Sequence, residues 1–187
     1  MSPDPLLVFD FDGVLVDGMP EYWWSARRAA LGLDPSLDLP EQAPLAFGQL
    51  RPHIHKGWEM VLAAAELGRA DFDLAAALAD YDATLQEALA RSGRGASELQ
   101  VALELVRQEA LARDPGAWLD LHRFYPGVVE RLRSLEAEGA DWAVLTTKGG
   151  AFATRLLAAA GLAPLAVYGH EQGSKPEAVS YTHLTLP

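Results

Sequence analysis

Two aspartates, Asp10 and Asp12, stand either side of Phe11 where the apolar run Leu6 to Phe9 ends, in "LLVFDFDGVLVD". Carboxylates at the end of a buried strand are costly to desolvate unless they bind or react with something. Far along the chain, Thr146, Thr147 and Lys148 follow a second apolar run, "WAVLTTK", and Lys175 lies in "GSKPE" beyond a third, "PLAVYG". Two carboxylates, a hydroxyl and a lysine suit phosphoryl transfer. One carboxylate can attack phosphorus and carry it as an acyl phosphate. A second can protonate the leaving oxygen and later activate water. A hydroxyl and an ammonium can hold the remaining phosphate oxygens. Mg²⁺ accepts a small number of protein carboxylates together with phosphate oxygens, and it would offset the repulsion between an anionic nucleophile and an anionic substrate.

Each residue also has an ordinary structural reading. Aspartate before glycine is common in turns, threonine is at home in strands, and lysine is usually solvated. Asp17 reads as a turn residue. The case for chemistry rests on the two acids flanking Phe11 and on all three groups following predicted parallel strands, because ligands of open α/β sheets bind beyond the carboxyl ends of the strands.

The elements that would position these groups are short. Leu6 to Phe9 reads as a buried strand, and "VLVD" as a second extended piece after Gly13. From about Gly18 to Arg123 the signals are helical: "PEYWWSARRAALG" between Pro20 and Gly32, "KGWEMVLAAAELG" closed by Gly68, and "DFDLAAALADYDATLQEALARSG" with Leu74, Leu78, Tyr81, Leu85 and Leu89 on one face. "SELQVALELVRQEALARDPG" opens with a capping-box pattern at Ser97 and Gln100. After it come a helix in "YPGVVERLRSLEAEG", the strand "WAVLTT", a helix in "AFATRLLAAAG" and the strand "PLAVYG". Strand, helix and strand in close succession imply parallel pairing through crossover helices.

Bulk properties narrow the classes. With 187 residues, a net charge of -11 and no cysteine, the chain can build one core plus a subdomain. It repels nucleic acid and anionic membrane surfaces, so neither is an expected partner. It has no thiolate chemistry. The start, "MSPDPLL", lacks the basic and apolar regions of a signal peptide, and the expected location is cytoplasmic. Within this acidic chain, "RPHIHKGWE" gathers Arg51, His53, His55 and Lys56, a candidate surface for an anionic substrate or simply a solvated loop. A His-x-His metal site is a remote alternative, since no third ligand is placed.

"DFDGVLVD", "VLTTK" and "GSKPE" together resemble motifs I to III of the haloacid dehalogenase-like superfamily, most closely its phosphoglycolate-phosphatase-like branch with a helical cap inserted after motif I. "FYPGVVERLRSL" resembles the helix before motif II of that branch. The resemblance covers residues 5 to about 178. It implies an α/β fold: a Rossmann-like parallel core in 1–17 and 124–187, incomplete at the carboxyl end, with an all-helical cap in 18–123. It implies Asp10 as nucleophile and Mg²⁺ ligand, Asp12 as general acid/base with its carbonyl as a further ligand, and Thr146, Thr147 and Lys175 as phosphate-binding residues. It implies Mg²⁺-dependent hydrolysis of a small phosphorylated metabolite. Phosphomutase chemistry and a non-catalytic relic or binding module are the alternatives, and carbon–halogen hydrolysis is disfavoured by the acid at position 12. The sequence departs from the family by ending at Pro187, before an acidic motif IV. With the off-pattern "VSYTHLTLP", this leads to the expectation of a truncated or mis-joined end, weak Mg²⁺ affinity and low solubility. Substrate identity and oligomeric state are not encoded in these patterns.

Overall fold

The structure, a computed structural model, describes residues 6–172. Lys175 and the segment Val179 to Pro187 lie outside the described residues. In chain order, β1 (Leu7–Phe9) and β2 (Val16–Asp17) precede α1 (Met19–Leu33), α2 (Leu45–Leu50), α3 (Gly57–Leu67), α4 (Leu74–Ala79), α5 (Tyr81–Ser92), α6 (Ala96–Arg113) and α7 (Pro115–Leu119). Then follow β3 (Arg123–Phe124), α8 (Val128–Ala137), β4 (Trp142–Leu145), α9 (Gly150–Ala159) and β5 (Ala166–Tyr168). The chain divides into two compact units, one from the segments up to Gly18 and from His122 onward, the other Met19–Leu121.

The first unit is built on a parallel sheet in the order β1-β4-β5. Leu7 pairs with Trp142 and Phe9 with Val144; Ala143 pairs with Ala166 and Leu145 with Tyr168. Every residue of β4 is buried, as an apolar run flanked on both sides must be. The α9 helix follows β4 and returns the chain to β5. Its Phe152, Ala153, Leu156 and Leu157 are buried, one apolar stripe at helical spacing. The first strand is not the buried strand that its composition suggests. Among the described residues β1 pairs with β4 alone, and Val8 is 43% exposed. Beside the sheet, β2 and β3 form a two-stranded antiparallel ribbon, Val16 opposite Phe124 and Asp17 opposite Arg123. The Phe11 ring meets the Phe124 ring edge-on, centroids 6.5 Å apart.

The second unit is all helical. Its core takes Trp23, Ala26 and Ala30 from α1, Phe47 and Leu50 from α2, Met60 to Ala64 from α3, and Leu99 and Leu103 from α6. Inside it, Glu21 and Arg107 form a buried bidentate ion pair, Nε to Oε1 at 2.7 Å and Nη2 to Oε2 at 2.9 Å. Three local expectations fail here. The α1 helix runs through Gly32 to Leu33. The long amphipathic stretch is broken at Asp80, whose side chain accepts from the Ala83 N–H and caps α5, so that Leu74 and Leu78 lie on a separate helix from Tyr81, Leu85 and Leu89. All five still pack against the same core. Helix α6 begins at Ala96 behind Gly95 with no side-chain cap, and Gln100 donates to Glu104, so the capping box does not form.

Candidate active site

Side chains alternate along an extended chain. The Phe11 side chain is fully buried, while Asp10 and Asp12, one residue to either side, are both partly exposed. The register Phe9–Val144 carries Asp10 beside Leu145, one residue before Thr146. The chain then folds tightly back on itself. The Phe11 carbonyl accepts from Leu15 N at 2.9 Å and Val16 N at 3.0 Å, and Gly13 N donates to the Val16 carbonyl at 2.9 Å. Closing that loop requires Gly13 at φ +81°, a region open to glycine and strained for other residues. The "DFDG" pattern thus has a mechanical reason: the phenylalanine anchors, the glycine turns, and the two acids flank the anchor.

Asp10 accepts from the Phe11 backbone N–H through Oδ1 at 2.8 Å. The Asp12 side chain is only 8% exposed. Its Oδ2 lies 3.5 Å from the Thr146 hydroxyl, the outer limit of a hydrogen bond. Its Oδ1 is buried without a hydrogen bond, yet the Lys148 ammonium stands 3.7 Å away. That contact is too long for a hydrogen bond but close enough for charge attraction, which is strong in a buried setting. Thr146 Oγ1 accepts from the Lys148 backbone N–H at 3.0 Å. Asp12, Thr146 and Lys148 therefore form one cluster. Thr147 is exposed on the turn after β4, and no hydrogen bond or ion pair among the described residues joins it to that cluster.

A second loop stitches this region together. Gly150 N donates to Glu171 Oε1 at 2.9 Å, and His170 N donates to the Lys148 carbonyl at 3.3 Å. The two loops approach so closely that a Cβ on Gly169 would lie 2.2 Å from Gly150 N. Neither Lys148 as a partner of Asp12 nor Glu171 as a loop tie emerges from sequence reasoning. The spacing of Lys148, two residues from Thr146, was the available signal for the first. Glu171 offered none, because its contact joins two loops.

The cationic segment belongs to the second unit. Arg51 opens a 3-10 turn, Arg51–His53, and its guanidinium lies over the Tyr22 ring at 4.6 Å. Its Nη1 donates to the Ile54 carbonyl at 3.1 Å, while Nε is buried without a hydrogen bond. The His53 ring stacks on Tyr81 at 5.7 Å. His55 and Lys56 are exposed, and the His55 N–H donates to Glu59 Oε2 at 2.9 Å. The Tyr81 hydroxyl donates to the same oxygen at 3.4 Å. Burial first, and then the Glu59 charge, push the Tyr81 phenol well above its ordinary pKa. Among the described residues, no three His, Asp or Glu side chains converge as a metal-ligand set, so His53 and His55 do not form the core of one.

The chain and its fold are similar to known proteins. The chain is 26% identical over 155 residues to phosphoglycolate phosphatase 1 of Pseudomonas aeruginosa, a match covering 81% of this chain and 44% of that relative. It thus spans under half the length of the curated relative it matches. The fold resembles the crystal structure of a predicted phosphoglycolate phosphatase from Haemophilus somnus 129pt, with a TM-score of 0.58, 21% identity, and coverage of 98% of this chain and 71% of that one. It also resembles a haloacid dehalogenase-like family hydrolase from Streptococcus pneumoniae, with a TM-score of 0.57, 15% identity, and coverage of 99% and 71%. The profile of the haloacid dehalogenase-like hydrolases matches residues 5–184. On that match, which takes in both acids, the Thr146–Lys148 turn and the helical unit between them, the chain belongs to the haloacid dehalogenase-like hydrolase family.

Proposed function

We propose that this chain carries the phosphatase chemistry of a small-phosphomonoester hydrolase, with Asp10 as nucleophile and Asp12 as acid and base. The observation that carries this reading is the cluster of Asp12, Thr146 and Lys148 beside Asp10, at the carboxyl ends of β1 and β4. The Asp10 carboxylate, oriented by the Phe11 N–H, attacks phosphorus. The bond from phosphorus to the ester oxygen breaks, and Asp12, which must enter this step in its protonated form, delivers its proton to that oxygen and becomes the carboxylate. Asp12 then takes a proton from water as the water attacks the phosphorus of the acyl phosphate, which releases inorganic phosphate and restores Asp10. Thr146, Thr147 and Lys175 are the proposed holders of the phosphate oxygens.

Mg²⁺ suits the hard oxygens at this strand end, the Asp10 carboxylate oriented by the Phe11 N–H and, as the family resemblance implies, the Asp12 backbone carbonyl, while Asp12 Oδ1 faces the Lys148 ammonium. Asp10 and Asp12 would hold it, and when bound it would offset the repulsion between the Asp10 carboxylate and the phosphate. With no three-ligand cluster among the described residues, it would rely on water and phosphate for further ligands. The substrate class is a small phosphorylated metabolite. The Pseudomonas relative is named for phosphoglycolate, which carries a carboxylate, and Arg51, His53, His55 and Lys56 are the proposed recognition element for such an anionic group. Among the described residues no helix is long and apolar enough to cross a membrane.

Turnover of p-nitrophenyl phosphate, with and without Mg²⁺, by the chain and by its Asp10→Asn variant tests this reading. With Mg²⁺ in large excess, to offset the weak affinity expected of the site, the expected result is activity that depends on the metal and falls by at least about 1,000-fold on loss of the nucleophile. A folded Asp10→Asn variant that keeps more than a few per cent of the activity would overturn it.

A further inference from the structure

Lys148 touches the cluster twice, and the two contacts close a ring. Its backbone N–H donates to Thr146 Oγ1 at 3.0 Å. Because that oxygen accepts there, the hydroxyl proton is directed elsewhere, and Asp12 Oδ2 lies 3.5 Å away as an acceptor. The other Asp12 oxygen faces the Lys148 ammonium at 3.7 Å. The Lys148 side chain is 1% exposed and that of Asp12 is 8% exposed. A buried carboxylate with an ammonium on one oxygen and a hydroxyl on the other has little rotational freedom. A lysine held this far from solvent, on the turn that also carries Thr146, is poorly placed to be a mere solubilising charge.

We infer that Lys148 is a positioning residue that acts through Asp12. Its ammonium fixes the rotamer in which the Asp12 carboxyl reaches the leaving oxygen, and its backbone N–H turns the Thr146 hydroxyl toward the same carboxyl until bound phosphate takes the hydroxyl proton. The inference rests on the proposed role of Asp12 as acid. Lys148 is distinct in this respect from Lys175, the proposed phosphate holder. A lysine that binds phosphate contributes to substrate affinity for every ester. A lysine that orients the acid matters most where the leaving oxygen is poor and needs its proton.

The test uses the full chain with Lys148→Met, alone and combined with Asp12→Asn, on p-nitrophenyl phosphate and on an alkyl phosphate. The double variant removes both charges of the buried pair, so its folding does not depend on an uncompensated carboxylate. The expected result for Lys148→Met is a loss in kcat of about 100-fold on the alkyl ester and about tenfold or less on the aryl ester, with KM within about threefold on both. In the Asp12→Asn background, single-turnover cleavage of p-nitrophenyl phosphate should fall by no more than about twofold when Lys148 is also replaced. A raised KM at unchanged kcat, an equal loss on both esters, or the same fractional loss in the Asp12→Asn background would each overturn the inference while leaving the phosphatase reading in place. If the unaltered chain cleaved neither ester, the phosphatase reading would fail first and the role of Lys148 with it.

Discussion

Replacing Arg107 with methionine keeps a long, largely apolar side chain but removes the guanidinium that holds Glu21. Both partners lie deep in the helical unit, Arg107 3% and Glu21 0% exposed, so solvent screens the pair hardly at all. The pair is bidentate, at 2.7 and 2.9 Å, and the Ser25 hydroxyl donates to the same Glu21 oxygen that takes Arg107 Nε. With the arginine gone, Glu21 keeps that hydroxyl but loses the charge of the guanidinium. Breaking one side of a buried pair costs about 3–5 kcal/mol, whereas replacing both sides with apolar groups of similar volume is often neutral or better. For a chain of this size, 1 kcal/mol moves Tm by about 2–4 °C, so Arg107→Met should lower Tm by roughly 6–20 °C. Glu21→Leu combined with Arg107→Met should recover most of the loss. Urea unfolding followed by the fluorescence of Trp23 and Trp118 measures both, provided the m-value is unchanged. An Arg107→Met variant within about 1 kcal/mol of the parent, or a double variant as unstable as the single, would refute the view that desolvated charge dominates at this site.

Three further substitutions probe other parts of the molecule. Gly169→Ala would put a Cβ 2.2 Å from Gly150 N, a backbone atom that cannot swing away, whereas Gly150→Ala meets chiefly the end of the Glu171 side chain at 2.6 Å. Gly169→Ala should therefore be the more destabilising, by about 1–3 kcal/mol as an overpacking effect, and urea midpoints of the two variants decide it. Arg51→Ala should raise KM for a carboxylate-bearing phosphate and leave p-nitrophenyl phosphate nearly unchanged; steady-state kinetics on both substrates would place Arg51 outside the recognition element if the effects were equal.

The parallel sheet was legible because the three apolar runs that became β1, β4 and β5 are short, bounded by turn residues, and separated by a stretch with helical periodicity. "DFDG" gave away the tight loop, since the two acids flank an anchoring Phe11 and only glycine suits the φ of +81° that follows. What stayed hidden depends on contacts between segments distant in sequence or on local competition. Asp80 reads as one more polar residue on an amphipathic helix until its side chain is seen to cap α5. Ser97 and Gln100 have capping-box spacing, but the N-cap is Gly95, two residues before Ser97, and Gln100 turns to Glu104. Val8 looks buried by composition but is exposed, on a strand that among the described residues pairs with β4 alone. Lys148 is the instructive case, because its type and spacing were visible but its burial against Asp12 requires the register of β1 on β4. Lys175 falls outside the described residues and contributes no geometry.

The most direct test of the central claim is to look for the phosphoryl group on Asp10. The chain is mixed with p-nitrophenyl phosphate and Mg²⁺, quenched in acid within the first turnover, digested and mapped by mass spectrometry. The account predicts a phosphoryl adduct on the peptide that spans Asp10, accumulating when Asp12 is replaced by asparagine, because water is then not activated to remove it. Steady release of phosphate with no adduct on that peptide in either form, or an adduct that persists when Asp10 is replaced by asparagine, would contradict it.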